Sequence, residues 1–241
     1  PILYLTERRA ILTARTAFVC SETDQAYLQD KRGLHNVEVV PNAVRIPEAS
    51  AIPAAPVVLF LGNYGYGPNC SAAEYLATEI WPIVRMSVPD ARLVLAGRGA
   101  ERLRLPQSRT GIDVRGFVAD LDALYREIRV VACPILAGGG TRFKIIEAAA
   151  YGRPIVSTTL GAEGIPFLDG KEIRLADTRD RFASACIELL KDDKNADIDY
   201  DGVSGEIELG KTGSPTAASI GIYEYDATNK IKPIKYIKGN I

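Results

Sequence analysis

The sequence predicts an α/β protein, a doubly wound parallel sheet followed by a β-rich carboxyl-terminal tail. Three observations carry this. Continuous apolar runs, VVLFLG (57–62), ARLVLAG (91–97), RVVACPIL (129–136) and PIVST (154–158), alternate with stretches of helical spacing. Each run has a continuous apolar centre, VVLFL, LVLA, VVAC and IV, as strands buried on both faces require. Glycine-rich loops, GNYGYGPN (62–69) and GGG (138–140), follow two of them, at the strand ends where such sheets hold ligands.

Residues 1–16 read as a helix with several cationic positions, leading into the short strand AFVCS. Ser21 is an N-cap for the next helix, with Asp24 as its acidic first-turn partner. VEVVPNAV is a strand that stops at Pro41-Asn42. IPEASAIPAAP (46–56), proline-rich and poor in core-forming side chains, reads as a linker and places a domain boundary there. Beyond it come strand 57–62, a long helix from Pro68 to Met86, strand 91–97, a polar helix, the strand IDVRGFV and a helix over Asp120–Arg126. Strand 129–136, a helix from Thr141, PIVST and a last helix over Arg181–Leu190 complete the alternation.

Composition narrows the function classes. The chain has 241 residues, 47% hydrophobic and 24% charged, with a net charge of -1, ordinary for a globular protein and without the basic field that nucleic acid demands. No apolar run approaches a membrane span, and the first residues do not read as a signal peptide. Cys20, Cys70, Cys133 and Cys186 are far apart among apolar neighbours, which reads as reduced, buried thiols in a cytoplasmic setting. The single histidine, His35, reads as a loop residue, so histidine-based catalysis has no support.

The segment GGGTRFKIIEAAAYGRP (138–154) carries the most chemistry. Its glycines can turn the backbone and offer N–H groups to an anion, and Arg142 and Lys144 supply cations at the start of a helix. Glu147 follows on that helix, and Gly152 and Pro154 end it. A phosphate-and-ribose site is one reading; a glycine turn before an amphipathic helix with solvated charges is the other. The loop at 62–69 does not make a dinucleotide site, because Gly62, Gly65 and Gly67 are spaced GxxGxG and no acid follows the next strand at Ala96-Gly97.

PNAV, FLGNYGYGPN, LVLAGRG, VRGFVADL and GGGTRFKIIEAAAYGRPIVSTTLGAEGI together resemble the carboxyl-terminal, donor-binding half of a group 1 retaining glycosyltransferase of GT-B fold, over residues 1 to about 192. The resemblance implies that 1–50 are the remnant of an acceptor domain and a linker, and that 51–192 form a Rossmann-like domain for a nucleoside-diphosphate sugar. It implies transfer of a sugar to a polysaccharide or lipid-linked acceptor, no cofactor and no metal, and a cytoplasmic location peripheral to the inner membrane. The donor diphosphate would lie against Gly139, Gly140, Thr141, Arg142 and Lys144, the ribose on Glu147, and the base edge near Arg98, Phe117 and Val118, with Glu163 and Asn69 as further donor contacts. Glu147 matches the second of the family's paired glutamates; eight residues earlier, where the first belongs, stands Gly139. The family's arginine and lysine after the first strand are also missing, Asn63, Tyr64 and Tyr66 standing nearby. With the acceptor domain largely absent, the expectation is a chain that holds a sugar nucleotide without turning it over, and the alternative is a ligand-binding module without catalysis.

Residues 193–241 break the pattern. GEIEL, ASIGIYEY and IKPIKYI are strand-like between turns, and DGVSGEIEL resembles the tail of periplasmic binding proteins of the branched-chain amino-acid type, which implies a chimeric chain joined near residue 191. Asp197, Asp199, Asp201, Gly202 and Glu208 fit a calcium-loop pattern, but Ser204 takes its apolar position and Gly210, Gly213 and Pro215 replace the following helix, so the segment reads as a solvated acidic turn.

Overall fold

The computed structural model describes residues 2–48, 50–108 and 110–191, and in the tail residues 200–202, 205–209, 215–225 and 231–240. In chain order the first elements are α1 (Ile2–Thr13), β1 (Ala17–Val19), α2 (Glu22–Ala26) and β2 (Val37–Val39). β1 and β2 pair in parallel, Ala17 opposite Val37. Ser21 caps α2 as its position predicts: its Oγ accepts from the Asp24 N–H at 3.1 Å and donates to Asp24 Oδ2 at 2.7 Å.

The central unit comprises β3 (Val57–Leu61), α3 (Gly67–Tyr75), α4 (Trp81–Ser87), β4 (Arg92–Ala96), β5 (Ile112–Arg115), α5 (Leu121–Arg126), β6 (Val130–Cys133), α6 (Phe143–Ala150), β7 (Ile155–Ser157), β8 (Arg174–Leu175) and α7 (Arg179–Lys191). Its six strands run in the order β5-β4-β3-β6-β7-β8, every neighbouring pair parallel. That is the predicted doubly wound sheet. β6 and β7 are buried at every residue, and so are Val57–Phe60 of β3 and Leu93–Ala96 of β4. Each fully buried aliphatic side chain there contributes roughly 1.5–3 kcal/mol.

α3 and α4 form the single long helix that the sequence predicts, joined through a π-turn at Leu76–Ile80 in which the Trp81 N–H reaches back five residues to the Leu76 carbonyl. Pro82 explains it: the helix must pass a residue with no N–H to donate, and the wider turn absorbs the mismatch. The polar helix expected after β4 is not formed. Only one 3-10 turn, Ala100–Arg102, stands there, started by Gly99 in the left-handed region (φ 85°) and followed by extended chain toward Pro106. The two-residue strand β8 was too short to be read from the pattern.

The proline-rich stretch 46–56 holds neither helix nor strand, yet two buried arginines anchor it. Arg153, fully buried, donates to the Tyr125 carbonyl at 2.9 Å, the Ser50 carbonyl at 3.1 Å and Ser50 Oγ at 2.5 Å. Arg129 donates to the Leu189 carbonyl at 3.1 Å and the Pro53 carbonyl at 3.0 Å. Proline-interrupted backbone cannot satisfy its carbonyls in a ladder, and the guanidinium groups do so instead.

All four cysteines are free; Cys133 and Cys186 are buried and Cys70 half-buried, but Cys20 is exposed. The expectation that Cys20 is buried fails: it lies just past the end of β1 at Val19, in the bend before Ser21 caps α2. In the tail, β9 (Tyr200–Gly202), β10 (Gly205–Leu209), β11 (Pro215–Tyr225) and β12 (Ile231–Asn240) form an antiparallel sheet of their own, ordered β12-β11-β10-β9. Pro233 lies on an edge strand beside a register shift at Ile222/Tyr223, where a missing N–H is tolerated. Asp197 and Asp199 of the calcium-like pattern lie outside the described residues. No described helix is long and apolar enough to cross a membrane.

Candidate functional site

The winding of the sheet decides where a ligand goes. From β3 the chain moves outward through β4 to β5, then returns to place β6 against the other side of β3. The loops after β3 and β6 therefore diverge at their carboxyl ends and leave a crevice. A cavity of about 600 Å³ occupies it, walled by the 62–69 loop, the ends of β4 and β5 at Gly97, Arg98, Phe117 and Val118, and the head of α6. Two glycines allow the strand ends to approach this closely. A Cβ on Gly97, at φ 129°, would sit 1.9 Å from the Gly62 carbonyl oxygen, and one on Gly62 would press on Asn69 and the Lys144 ammonium at 3.2–3.3 Å.

β6 ends at Cys133 and α6 begins at Phe143; in the loop between them Gly138 and Gly140 take left-handed conformations (φ 99° and 82°), which turn the chain into the helix. Arg142 is its extended N-cap residue. One guanidinium nitrogen, Nη2, donates to the Gly138 carbonyl at 2.8 Å; the other, Nη1, is buried without a hydrogen-bond partner. Lys144 runs inward, its Nζ 4.1 Å from the centre of the Phe60 ring and donating to Asn69 Oδ1 at 2.8 Å. Burial pulls the Lys144 ammonium down to about 8, and the like charge of Arg142 adds to the effect. Thr141 Oγ1 accepts a hydrogen bond from Asn42 Nδ2, which ties the segment after β2 to the same loop.

Glu147 lies farther along α6 on the cavity wall. Burial raises its carboxyl, while a hydrogen bond from Tyr125 Oη to Oε2 at 3.2 Å holds the charged form. Tyr125 stacks on Tyr151, ring centres 4.0 Å apart and 5° from parallel. Tyr151 Oη donates to Asp122 Oδ1 at 2.7 Å, and Arg45 pairs with Asp122 at 3.0 Å. The carboxylate thus has one oxygen steadied from α5. Across the cavity, the Arg98 guanidinium rests 5.5 Å from the centre of the Phe117 ring, which is 69% exposed and so available to a planar ligand.

Of the residues predicted from sequence, Gly139, Thr141, Arg142, Lys144, Glu147, Arg98, Phe117, Val118 and Asn69 all line this one cavity. Gly140 shapes the loop without lining it, and Glu163 is exposed on the turn after β7, away from the cavity wall. Sequence reasoning missed Tyr125 and Asn42, whose partners lie 22 and 99 residues away. It also left the apolar wall unassigned, Leu61, Leu121, Ile135 and Phe143, whose helical and strand spacing reads as core. Among the described residues no cluster of three acids, histidines or cysteines could hold a metal ion.

A cation pair at a helix head, a carboxylate one turn on and a planar surface opposite meet in one cavity at the switch point of a doubly wound sheet. Residues 55–192 match the family described as glycosyl transferases group 1, more than half of the chain, and the chain belongs to that family. It is 27% identical over 187 residues to phosphatidyl-myo-inositol mannosyltransferase from Mycobacterium leprae, covering 72% of this chain and 49% of that protein. Its fold is similar to TarM from S. aureus, solved with fondaparinux, alpha-GlcNAc-glycerol and UDP (TM-score 0.65, 15% identity, 78% of this chain and 39% of that one). It is similar also to HepE from Anabaena, solved with UDP and glucose (TM-score 0.59, 17% identity, 80% of this chain and 58% of that one). The chain spans 36–49% of the length of the curated relatives it matches. The family match ends at residue 192, and the resemblance of residues 193–241 to binding-protein tails gains no support from these comparisons.

Proposed function

We propose that this chain is the donor-binding part of a glycosyltransferase, holding a nucleoside-diphosphate sugar in the crevice between the ends of β3 and β6 for transfer to a polysaccharide or lipid-linked hydroxyl. One observation carries the reading: Arg142 Nη1 is buried without a partner beside the buried Lys144 ammonium, at the head of a helix whose next turn bears Glu147. A buried guanidinium nitrogen without an acceptor is costly, and a diphosphate supplies the acceptor. In this reading Arg142, Lys144 and the first N–H groups of α6 carry the charge that grows on the departing diphosphate as the glycosidic bond breaks. Glu147, held by Tyr125, accepts hydrogen bonds from the ribose hydroxyls, and the base lies along Phe117, Val118 and Arg98.

A nucleoside-diphosphate sugar as the ligand is consistent with the UDP in the TarM and HepE complexes and with the mannosyltransferase name of the M. leprae relative. Four free thiols suit a reducing cytoplasmic setting, with acceptors met at the inner membrane. Residues 193–241 lie beyond the family match and carry no part of the reading. In this reading residues 55–192 hold the donor and supply no acceptor site of their own, so they bind the sugar nucleotide without turning it over. Calorimetry with UDP, GDP and their sugars, run beside a transfer assay, tests both parts. Micromolar binding without turnover is the expected result; absence of binding to every nucleotide overturns the donor reading, and turnover by the isolated chain overturns the division of labour.

A further inference from the structure

The 62–69 loop lacks any cation, yet it reaches across the crevice to the one that matters. Asn69 stands at the start of α3 with its amide used on both sides: Nδ2 donates to the Asn63 carbonyl at 3.0 Å, and Oδ1 accepts from Lys144 Nζ at 2.8 Å. The first bond fixes which way the amide faces, because only the oxygen is then left for the ammonium. The Phe60 ring centre lies 4.1 Å from the ammonium, and a Cβ on Gly62 would come within 3.2–3.3 Å of both Asn69 and Lys144. The ammonium is therefore held by the ring and the amide, in space that a side chain at position 62 would crowd. Lys144 itself lines the cavity.

We propose that Asn69 is a positioning residue: it touches no donor itself but aims the Lys144 ammonium from the 62–69 loop at the donor diphosphate, an inference that rests on the donor reading above. A neutral amide suits this task better than a carboxylate. It accepts one hydrogen bond without cancelling the charge, so the full positive charge remains for the incoming anion. The charged or titratable groups that bear on the ammonium are Cys133 on β6 and Arg142 at the head of α6; the β3–α3 loop presents it only neutral Asn69.

The linkage has a definite sign. An anion binds the protonated lysine better, so donor affinity is complete below the free lysine's value of about 8 and falls as pH rises through it. Asn69→Ala removes an acceptor that favours the charged form and moves the fall to lower pH. Asn69→Asp sets a carboxylate against the ammonium and moves it to higher pH, by about one pH unit or more.

The test follows the 13Cε resonance of Lys144, identified by its loss in Lys144→Met, from pH 6 to 11 in the wild type, Asn69→Ala and Asn69→Asp, and measures UDP and GDP affinity over the same range. Opposite displacements of the titration in the two variants are expected, with about tenfold weaker nucleotide binding by Asn69→Ala at pH 7.5 and no further loss when Asn69→Ala is added to Lys144→Met. Asn69→Asp keeps the side chain's shape and decides the matter should the alanine variant fail to fold. A lysine titration that neither variant moves, or losses that add fully in the double variant, overturns the proposal. Displaced titrations in a protein that binds neither nucleotide leave Asn69 as the lysine's holder and remove the donor reading instead.

Discussion

Replacing Lys144 by methionine should make the free protein more stable and weaken the donor site. The side chain keeps its length and its contact with Phe60 but loses the buried charge. In the wild type the ammonium falls from an ordinary 10.5 to about 8 on folding. At about 1.4 kcal/mol for each tenfold change in proton affinity, the charged form costs about 3 kcal/mol of folding free energy. The sign follows from the order of proton uptake. Above 10.5 the lysine is neutral in both states and costs nothing; as pH falls from 10.5 toward 8 the unfolded chain takes up its proton first, and below about 8 the full cost is present. Thermal or urea unfolding at pH 7 should therefore show Lys144→Met more stable by about 2–3 kcal/mol, with the gain fading toward pH 10.5, and UDP or GDP at one fixed concentration should stabilise the wild type more than the variant. A variant that is less stable at pH 7, or that gains as much from nucleotide as the wild type, refutes the reasoning.

Glu147→Gln should weaken UDP or GDP binding by about 10- to 100-fold, the worth of charge-assisted bonds to two hydroxyls, and should bind the 2′-deoxynucleotide no worse than the ribonucleotide; equilibrium binding with both ligands measures it. Arg153→Ala strands the carbonyls of Ser50 and Tyr125 and leaves a hole where a fully buried side chain was, so urea denaturation should show a loss of about 3 kcal/mol or more. Gly97→Ala drives a Cβ to 1.9 Å from the Gly62 carbonyl at a φ that side chains avoid, and the thermal midpoint should fall steeply, by the equivalent of about 4 kcal/mol.

The strands were legible because a parallel strand covered on both faces has no polar positions to confuse its pattern, as Val57–Leu61 and Val130–Cys133 show. The site was legible where its residues are contiguous: Arg142, Lys144 and Glu147 share one helix, and the loop before it announces itself by glycine. What joins those residues to the rest is written nowhere locally. Asn69 and Lys144 stand 75 residues apart, and nothing in either neighbourhood says that an amide in one loop receives an ammonium from another. Arg153 looks like any solvated arginine after a helix; only the folded packing shows that a carbonyl-rich linker lies over it. The polar helix after β4 was misread because charged residues with helical propensity outweighed Gly99 and Pro106, which break the turn at both ends.

The most direct test is a crystal structure of the chain with UDP or GDP, whichever binds the tighter. The diphosphate should lie at the head of α6 with its oxygens within hydrogen-bond distance of Arg142 Nη1 and Lys144 Nζ, and the ribose hydroxyls should meet Glu147. A nucleotide bound elsewhere, or one that leaves Arg142 Nη1 without an acceptor, contradicts the account.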